Sequence, residues 1–231
     1  MVPTSPPGPE VRHDGQGPSG PAERGRLGPS GSATASFQVQ TQDQVPGPVV
    51  ALMGRIEAAE RIDRFGRPLQ RAADALTRSP GRDAALRGAW LGHALHPLLT
   101  DFPLGSWMSA SFLDLFAGPD ARGAARRLVG FGLLVAAPTA ATGLAEWRAS
   151  SGTAVKRAGV VHAAVNTTAT VLYGFSWVAR HRGADRLAVR LGVGGGVVAT
   201  LGGYIGGHLS LVRKIGTADT AFGPDVEAIT A

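Results

Sequence analysis

The sequence predicts an all-helical membrane protein, a transmembrane up-down-up-down four-helix bundle preceded by an amphipathic helix and a disordered tail. Three observations support this fold class. The chain of 231 residues is 44% hydrophobic and only 17% charged, which is unusually apolar for a soluble protein. Nine of its 16 prolines lie before Val49, whereas long uncharged apolar stretches lie after Ala89. These stretches have the length that a bilayer requires of a spanning helix.

Residues 1–48 form the first segment, which is rich in proline, glycine and serine. Such a composition buries too little apolar surface to offset the conformational entropy of the chain, so we expect a disordered tail. The first thirty residues contain no apolar stretch of the kind that a cleavable signal peptide needs, and insertion is expected to depend on the later spans. Residues 217–231 are interpreted as a C-terminal tail.

Residues 49–88 form the second segment, in which apolar side chains recur at helical spacing among arginines and acids. We predict a juxtamembrane amphipathic helical segment that is broken near Pro68. A basic amphipathic helix can lie on the membrane surface, or it can pack against the spanning helices as an exposed helix. The sequence leaves both arrangements open.

Residues 89–216 form the predicted membrane domain of four helices. The four predicted spans are residues 97–116, 128–147, 158–179 and 191–212. Each is close to the roughly 20 residues that cross a hydrocarbon layer of about 30 Å, and the short connections make neighbouring spans antiparallel. The fourth span contains eight glycines, including adjacent pairs at 202–203 and 206–207, which permit close approach of another helix or of a flat cofactor.

This topology brings four histidines to one side of the membrane. We call it side A, the side shared by the N-terminal segment, the connection between the second and third spans, and the C-terminal tail. The four histidines are His93, His96, His162 and His208. An ionisable side chain in hydrocarbon is costly unless it pairs, binds an ion or faces water. Their common depth therefore indicates a candidate cofactor or metal site.

Further polar side chains are predicted to surround these histidines. They are Asp101, Glu146, Asn166 and Tyr204. Asn166 follows His162 by four residues, and Tyr204 precedes His208 by four, so each pair shares a helix face. We expect these side chains to hydrogen-bond to the ligand residues or to handle protons, as a carboxylate that fixes a histidine tautomer would.

Charge and cysteine content narrow the function classes. The net charge of +6 comes almost wholly from arginine, which in membrane proteins lies near lipid headgroups, so no nucleic-acid partner is predicted. The absence of cysteine excludes disulfides and thiolate-held metals. Basic residues are balanced between the two sides, which leaves the orientation open.

The side of the membrane opposite side A is called side B. There, at the end of the first span, Asp114 is expected to pair with Arg126 or Arg127.

Several motifs resemble those of a bacterial family of four-span membrane proteins catalogued as a domain of unknown function. The first runs from Leu91 to Gly105 and reads Leu-Gly-His-Ala-Leu-His-Pro-Leu-Leu-Thr-Asp-Phe-Pro-Leu-Gly. The others are Pro-Thr-Ala-Ala-Thr-Gly-Leu-Ala-Glu-Trp from Pro138, Val-His from Val161 with Asn166, and Gly-Gly-Tyr-Ile-Gly-Gly-His-Leu from Gly202. The resemblance covers about residues 49–216. Ala94 stands where the family's first motif has a proline.

The resemblance implies a membrane domain that is sometimes fused to a C-terminal Rieske-type ferredoxin domain and looks like di-haem cytochrome b bundles. It implies no particular activity. The chain contains no cysteine and ends soon after the fourth span, so we do not expect it to hold a Rieske cluster itself. Electrons would have to come from a separate partner protein.

Three functional hypotheses follow for this predicted multi-pass cell-membrane protein. The first is a redox protein that binds one b-type haem, with axial ligands from His96, His162 and His208 and with His93 as a further candidate. The second is a non-haem iron, zinc or copper site. Its candidate ligands are His93, His96, Glu146, His162 and His208. The third is a structural or assembly subunit without a cofactor, whose polar side chains only bond one another.

Overall fold

The computed structural model describes residues 47–216, in which the chain forms seven α-helices and no β-strand. The N-terminal helices are α1 (Pro48–Ala58), α2 (Asp63–Leu76) and α3 (Pro80–Arg87). The long helices are α4 (Leu95–Phe116), α5 (Arg122–Ala149), α6 (Thr153–His181) and α7 (Asp185–Gly207), and a π-helical turn, His208–Val212, continues α7. The all-helical prediction is confirmed. The predicted tails lie outside the described residues except for 47 and 48.

The helix ends follow local sequence signals. Ser79 caps α3, since its hydroxyl accepts a hydrogen bond from the backbone N–H of Arg82 at 3.3 Å, and Pro80 occupies the first helical position. Gly88 ends α3 with φ +76°, a left-handed conformation that favours glycine. Gly152, with φ +88°, likewise separates α5 from α6.

The predicted break near Pro68 is wrong, because this proline lies inside α2. The chain changes direction instead at Ala59, whose backbone is extended, and a 3₁₀ turn at Glu60–Ile62 leads into α2. Pro68 is only the sixth residue of α2, close to the start, where a missing N–H and a fixed φ disturb few backbone hydrogen bonds.

The four long helices pack side by side, and consecutive helices are antiparallel. Helix α4 packs along α5, α6 along α7, α5 contacts α6, and α7 contacts α4. Between α4 and α5, the indole N–H of Trp107 donates to the carbonyl of Val129 at 3.4 Å. The Trp107 ring stacks on Tyr173 of α6 at a centroid distance of 4.2 Å. These aromatic rings, with Ala110 and Ala125, fill the centre of the group.

Helices α1, α2 and α3, together called the cap, pack against one end of the long helices. Helix α1 contacts α6, α2 contacts α5 and α6, and α3 contacts α5. Met53 of α1 is buried against Ala158 and Ile205. Of the two arrangements that the sequence left open, the structure therefore shows the cap packed against the long helices.

Two of the long helices are long and apolar enough to cross a bilayer, judged by length and composition. They lie within Pro119–Ala149 and Asp185–Val212, which contain α5 and α7. Helices α4 and α6 carry ionisable side chains within their apolar stretches, among them His162 and Asp114, which lowers their hydropathy. The fold thus matches the sequence prediction in helix content and position. By length and composition, α5 and α7 are the helices that qualify as membrane spans within the described residues.

Candidate histidine site between helices α4 and α6

The structure brings together two of the four predicted histidines. His96 lies in the first turn of α4, and His162 lies in the third turn of α6. Their ring centroids are 6.2 Å apart, and the ring planes are almost perpendicular, at 87°. Both side chains are largely enclosed by the long helices. Two imidazoles from sequence-distant helices therefore lie side by side at one depth of the protein.

Each imidazole bonds through Nδ1 to a backbone carbonyl of the next helix along the chain. The Nδ1 of His96 lies 2.9 Å from the carbonyl oxygen of Thr139 on α5. The Nδ1 of His162 lies 3.0 Å from the carbonyl oxygen of Gly202 on α7. A carbonyl oxygen can only accept, so the hydrogen of each neutral ring is on Nδ1, and Nε2 carries the lone pair that could bind a ligand. The Nε2 of His162 also has the amide nitrogen of Asn166 within 3.4 Å.

Glycines on α5 and α7 make room for the two rings. A Cβ built on Gly143 would lie 2.7 Å from Cε1 of His96, and a Cβ built on Gly206 would lie 2.9 Å from Cε1 of His162. Such distances are far inside ordinary van der Waals contact, so any larger residue would displace a ring. In each of the predicted glycine pairs, one glycine thus accommodates a side chain of α6, Gly202 that of Asn166 and Gly206 that of His162, whereas a Cβ on Gly203 or Gly207 would meet nothing within 4 Å.

Asn166 is the one predicted supporting residue that contacts a paired histidine. Its Nδ2 donates to the carbonyl oxygen of His162 at 2.9 Å and lies 3.4 Å from Nε2 of the same ring. Asp101 and Tyr204 are exposed. His93 is also exposed, and its Nδ1 lies 3.0 Å from the carbonyl oxygen of Ala94. These three side chains are outside the enclosed pair.

Thr142 is a supporting residue beside His96, on the helix face that also carries Thr139. Its hydroxyl donates to the carbonyl oxygen of Thr139 at 2.8 Å and lies 3.5 Å from Nδ1 of His96. Threonines at this spacing on the second span were visible in the sequence as a polar stripe. The structure shows that the stripe forms the wall behind the His96 ring.

His208 and Glu146 lie at the junction with the cap instead of beside the histidine pair. Nε2 of His208 is 2.8 Å from Oε1 of Glu57 on α1, and Arg213 donates to the same carboxylate. The hydrogen bond from Arg213 holds the pKa of Glu57 below its ordinary value, against the effect of burial, and His208 contributes in the same direction. Glu146 is buried, 4.0 Å from Arg87 of α3.

The five ligands predicted for a non-haem metal therefore do not converge. Within residues 47–216, no three or more histidine, aspartate or glutamate side chains lie together as a metal-binding group. His96 and His162 form a pair, and His208 belongs to a hydrogen-bond network with the cap. The candidate site that remains is a two-histidine site.

A second polar contact between α4 and α6 lies at their other end. Asp114 binds Arg180 through both guanidinium Nη atoms, with Nη1 to Oδ1 at 2.9 Å, and both side chains are almost fully buried. The predicted partners of Asp114, Arg126 and Arg127, are exposed instead. Asp114 faces the interior of the helix group, where a buried carboxylate requires a charged partner. Arg180 of α6 reaches it there, whereas the two predicted arginines do not.

The contacts between α4 and α6 follow one register. His96 and His162, Trp107 and Tyr173, and Asp114 and Arg180 are each separated by 66 residues. Each of these aromatic rings also has a glycine beside it on the following helix: Gly132 makes room for Trp107, and Gly195 makes room for Tyr173. The α4–α5 and α6–α7 hairpins therefore form an internal structural repeat, and the two histidines occupy equivalent positions in it.

Glu57 is the polar residue of this region that sequence reasoning missed. The signal was present, because Glu57 shares a helix face with Met53 and Ile56, and an acid on the apolar face of an amphipathic helix needs a buried partner. The identity of that partner, more than 150 residues away, depends on how α1 packs against α7.

Fold and site together define an all-helical protein with an enclosed pair of histidines and many large apolar side chains on its outer surface. Residues 92–219, more than half of the chain, match the family described as "Predicted membrane protein (DUF2231)". The chain belongs to this family, as its motifs suggested, and is a membrane protein by that membership. No curated protein and no solved structure matches the chain.

Proposed function

We propose that helices α4 to α7 span the cell membrane as an up-down-up-down bundle and that the protein is a redox carrier with one b-type haem held between His96 and His162. The observation that carries the proposal is the half-buried histidine pair, in which both Nδ1 atoms bond to carbonyl oxygens and both Nε2 atoms carry a lone pair. On binding, the Nε2 of His162 would give up its contact of 3.4 Å with Asn166. This tautomer is the one that iron ligation through Nε2 requires.

The outer surfaces of the long helices support four spans. Large apolar side chains are exposed on all four helices, including α4 and α6. They include Leu98, Phe102, Met108 and Phe112 on α4, Phe131 and Leu134 on α5, Val171 and Phe175 on α6, and Val193, Val197 and Leu201 on α7. A soluble monomer rarely exposes so much contiguous apolar surface, whereas a bundle in lipid does so on every side. The ionisable groups of α4 and α6 that lower their hydropathy include the buried pair Asp114 and Arg180.

The number of protein ligands favours haem over a non-haem metal. Haem iron takes four nitrogens from its porphyrin and needs only two axial ligands from the protein. A catalytic zinc site, by contrast, uses three protein ligands, and structural sites use four. Two histidines with no third histidine or carboxylate beside them in residues 47–216 match the smaller requirement.

The separation of the rings also suits axial ligation. His96 and His162 would hold the haem iron between them only if their rings were within a few bond lengths of one another. The observed separation of the centroids is 6.2 Å. The bound haem would supply one-electron redox chemistry, and the carbonyls of Thr139 and Gly202 would fix ring orientation and raise ligand basicity.

The test is the visible spectrum of the detergent-purified full-length protein, expressed with excess haem precursor. We expect a Soret band and reducible α and β bands in wild type, and loss of the sharp low-spin α and β bands in His96→Ala and in His162→Ala, because each variant removes one ligand. Two matched controls, His208→Ala and His181→Ala, should keep these bands, because His208 bonds to Glu57 and His181 is exposed at the other end of α6. Size-exclusion elution identical to wild type confirms that each variant is folded.

A structural or assembly subunit without a cofactor is the second candidate. One observation favours it: both imidazoles already have hydrogen-bond partners within the protein, so the pair needs no ligand in order to be stable. Colourless wild-type protein after haem supplementation, with no metal by elemental analysis, would contradict the haem proposal and support this one. A metal other than iron in that analysis would instead support the non-haem hypothesis. In the redox role, a separate electron-transfer protein would be the partner.

A further inference from the structure

The charged residues of the cap are segregated by sign. Three of its five acids reach inward to arginines of the long-helix domain: Asp63 binds Arg157, Asp74 binds Arg148, and Glu57 binds Arg213. In the first two pairs the nearest nitrogen and oxygen are 2.8 Å and 2.7 Å apart. Asp83 pairs with Arg87 within the cap. Nearly all of the negative charge of the cap is thus committed to internal contacts.

The arginines of the cap point the other way. Seven are exposed and form no ion pair within residues 47–216: Arg55, Arg61, Arg64, Arg67, Arg71, Arg78 and Arg82. Glu60 is the remaining cap acid. Among residues 47–216, the outer surface of the cap therefore carries a large excess of positive charge, with Glu60 as its one unpaired acid.

The cap lies beside the ends of α5 and α6, which would be at the membrane interface in the proposed four-span arrangement. Gly66 of α2 faces Val160, which lies two turns inside α6, and Asp74 reaches the last turn of α5. At the same level, Nζ of Lys156 lies 4.3 Å from the ring centre of Trp147. Tryptophan and lysine at a helix end are typical of the headgroup region of a bilayer.

A cavity of about 250 Å³ opens at this level between α2 and the ends of α5 and α6. Its polar walls include Arg67, Gln70, Lys156 and Arg157, and Val160 is among its apolar residues. Lys156 donates to the backbone carbonyls of Trp147 and Arg148, and Gln70 donates to Asp74. The one acid in the wall, Asp63, is already paired with Arg157. Within residues 47–216, Arg67 is thus the basic residue of the wall that has no partner, and it lies above an apolar floor.

We propose that the outer face of α2 is a binding site for anionic phospholipid headgroups and that this cavity, with Arg67 at its rim, receives one headgroup phosphate. A phosphate would supply the negative charge that the exposed arginines lack, and the apolar floor suits the start of an acyl chain. The inference rests on the membrane location given under the proposed function and is independent of haem.

The test compares lipids bound to the purified full-length protein in a neutral detergent, with retained lipid measured by native mass spectrometry and thermal stability measured in parallel. The probes are phosphatidylglycerol, phosphatidylcholine and inorganic phosphate. We expect retention of phosphatidylglycerol over phosphatidylcholine by at least about tenfold, with a rise in Tm, since each basic side chain near the surface adds to the attraction.

The variant R61Q/R64Q/R67Q/R71Q should lose this preference and the rise in Tm. The control R126Q/R127Q/R186Q/R190Q removes the same charge from exposed arginines at the other end of the long helices and should keep both. Equal retention of the two lipids by wild type, or equal loss in the two variants, would overturn the proposal. A rise in Tm with inorganic phosphate alone and no lipid preference would assign the site to free phosphate and overturn the lipid assignment.

Binding of polyglutamate without any lipid preference would assign the face to an acidic protein partner and also overturn the proposal. The haem spectrum keeps this test separate from that of the proposed function. A colourless wild type that still prefers phosphatidylglycerol contradicts only the haem proposal, whereas a wild type with haem bands and no lipid preference contradicts only the lipid site.

Discussion

At the scale of single residues, glycines decide where the histidine rings can lie. Gly203 and Gly206 are three residues apart in the interior of α7, yet their surroundings differ. A Cβ on Gly206 would meet Cε1 of His162 at 2.9 Å, whereas a Cβ on Gly203 would have nothing within 4 Å. The same substitution should therefore have opposite effects at the two positions.

We expect Gly206→Ala to destabilise the protein by about 1–3 kcal/mol, because the added methyl overpacks the ring of His162. Gly203→Ala should be neutral or stabilise by up to about 1 kcal/mol, because alanine has the higher helix propensity. Thermal unfolding in detergent measures both values. Equal stability of the two variants would show that the ring of His162 does not occupy the position described.

At the scale of secondary structure, hydropathy and turn signals located every long helix. The predicted span at 97–116 lies within α4, and the span at 158–179 lies within α6, because uncharged apolar stretches and flanking basic residues mark helix position directly. The structure extends α5 and α6 by several residues at their N-terminal ends and by two at their C-terminal ends, where the turns are more polar and carry no hydropathy signal.

The rotation and the partners of the helices were harder to predict. Tyr204 shares a helix face with His208, as the spacing required, but that face is turned outward at Tyr204, and the π-helical turn begins at His208. Spacing within one helix does not fix its rotation against its neighbours. For the same reason the sequence did not reveal that His96 pairs with His162 alone or that Asp114 pairs with Arg180.

The contacts between the cap and the long helices should weaken in acid. Hydrogen bonds from arginines lower the pKa of Glu57, Asp63 and Asp74, so these carboxylates favour the docked cap when ionised. A group with a depressed pKa in the docked state gives its full stabilisation above its ordinary pKa, which is 4.5 for Glu57. That stabilisation is lost as pH falls below this value and through the lowered pKa.

We expect amide hydrogen exchange in α1 and α2 to accelerate, after correction for the intrinsic rate, as the pH falls from 6 to about 3, the range in which paired carboxylates take up protons. The variant E57Q/D63N/D74N should show fast exchange at every pH. Glu60→Gln is the matched control, because Glu60 is exposed, and it should behave like wild type. Exchange in wild type that does not change with pH would refute a role for these carboxylates in docking.

At the scale of the whole molecule, the polar features are distributed by depth. The exposed apolar side chains cover the long helices, the buried pair Asp114 and Arg180 lies near one end, and the histidine pair lies toward the end that carries the cap. A haem at this depth would be near the membrane interface on side A, within reach of a partner protein in the aqueous phase. The central claim is that the two imidazoles ligate one iron.

The most direct measurement of that claim is low-temperature electron paramagnetic resonance of the oxidised, haem-loaded protein. If both imidazoles held the haem iron with their planes at 87°, two iron d orbitals would be nearly equal in energy, so we expect a low-spin signal with strong axial anisotropy and a large maximum g value. Either His96→Gly or His162→Gly should convert this signal to high spin, and added imidazole should restore low spin. A rhombic low-spin signal typical of parallel rings, a high-spin signal in wild type, or the absence of bound haem would contradict the claim.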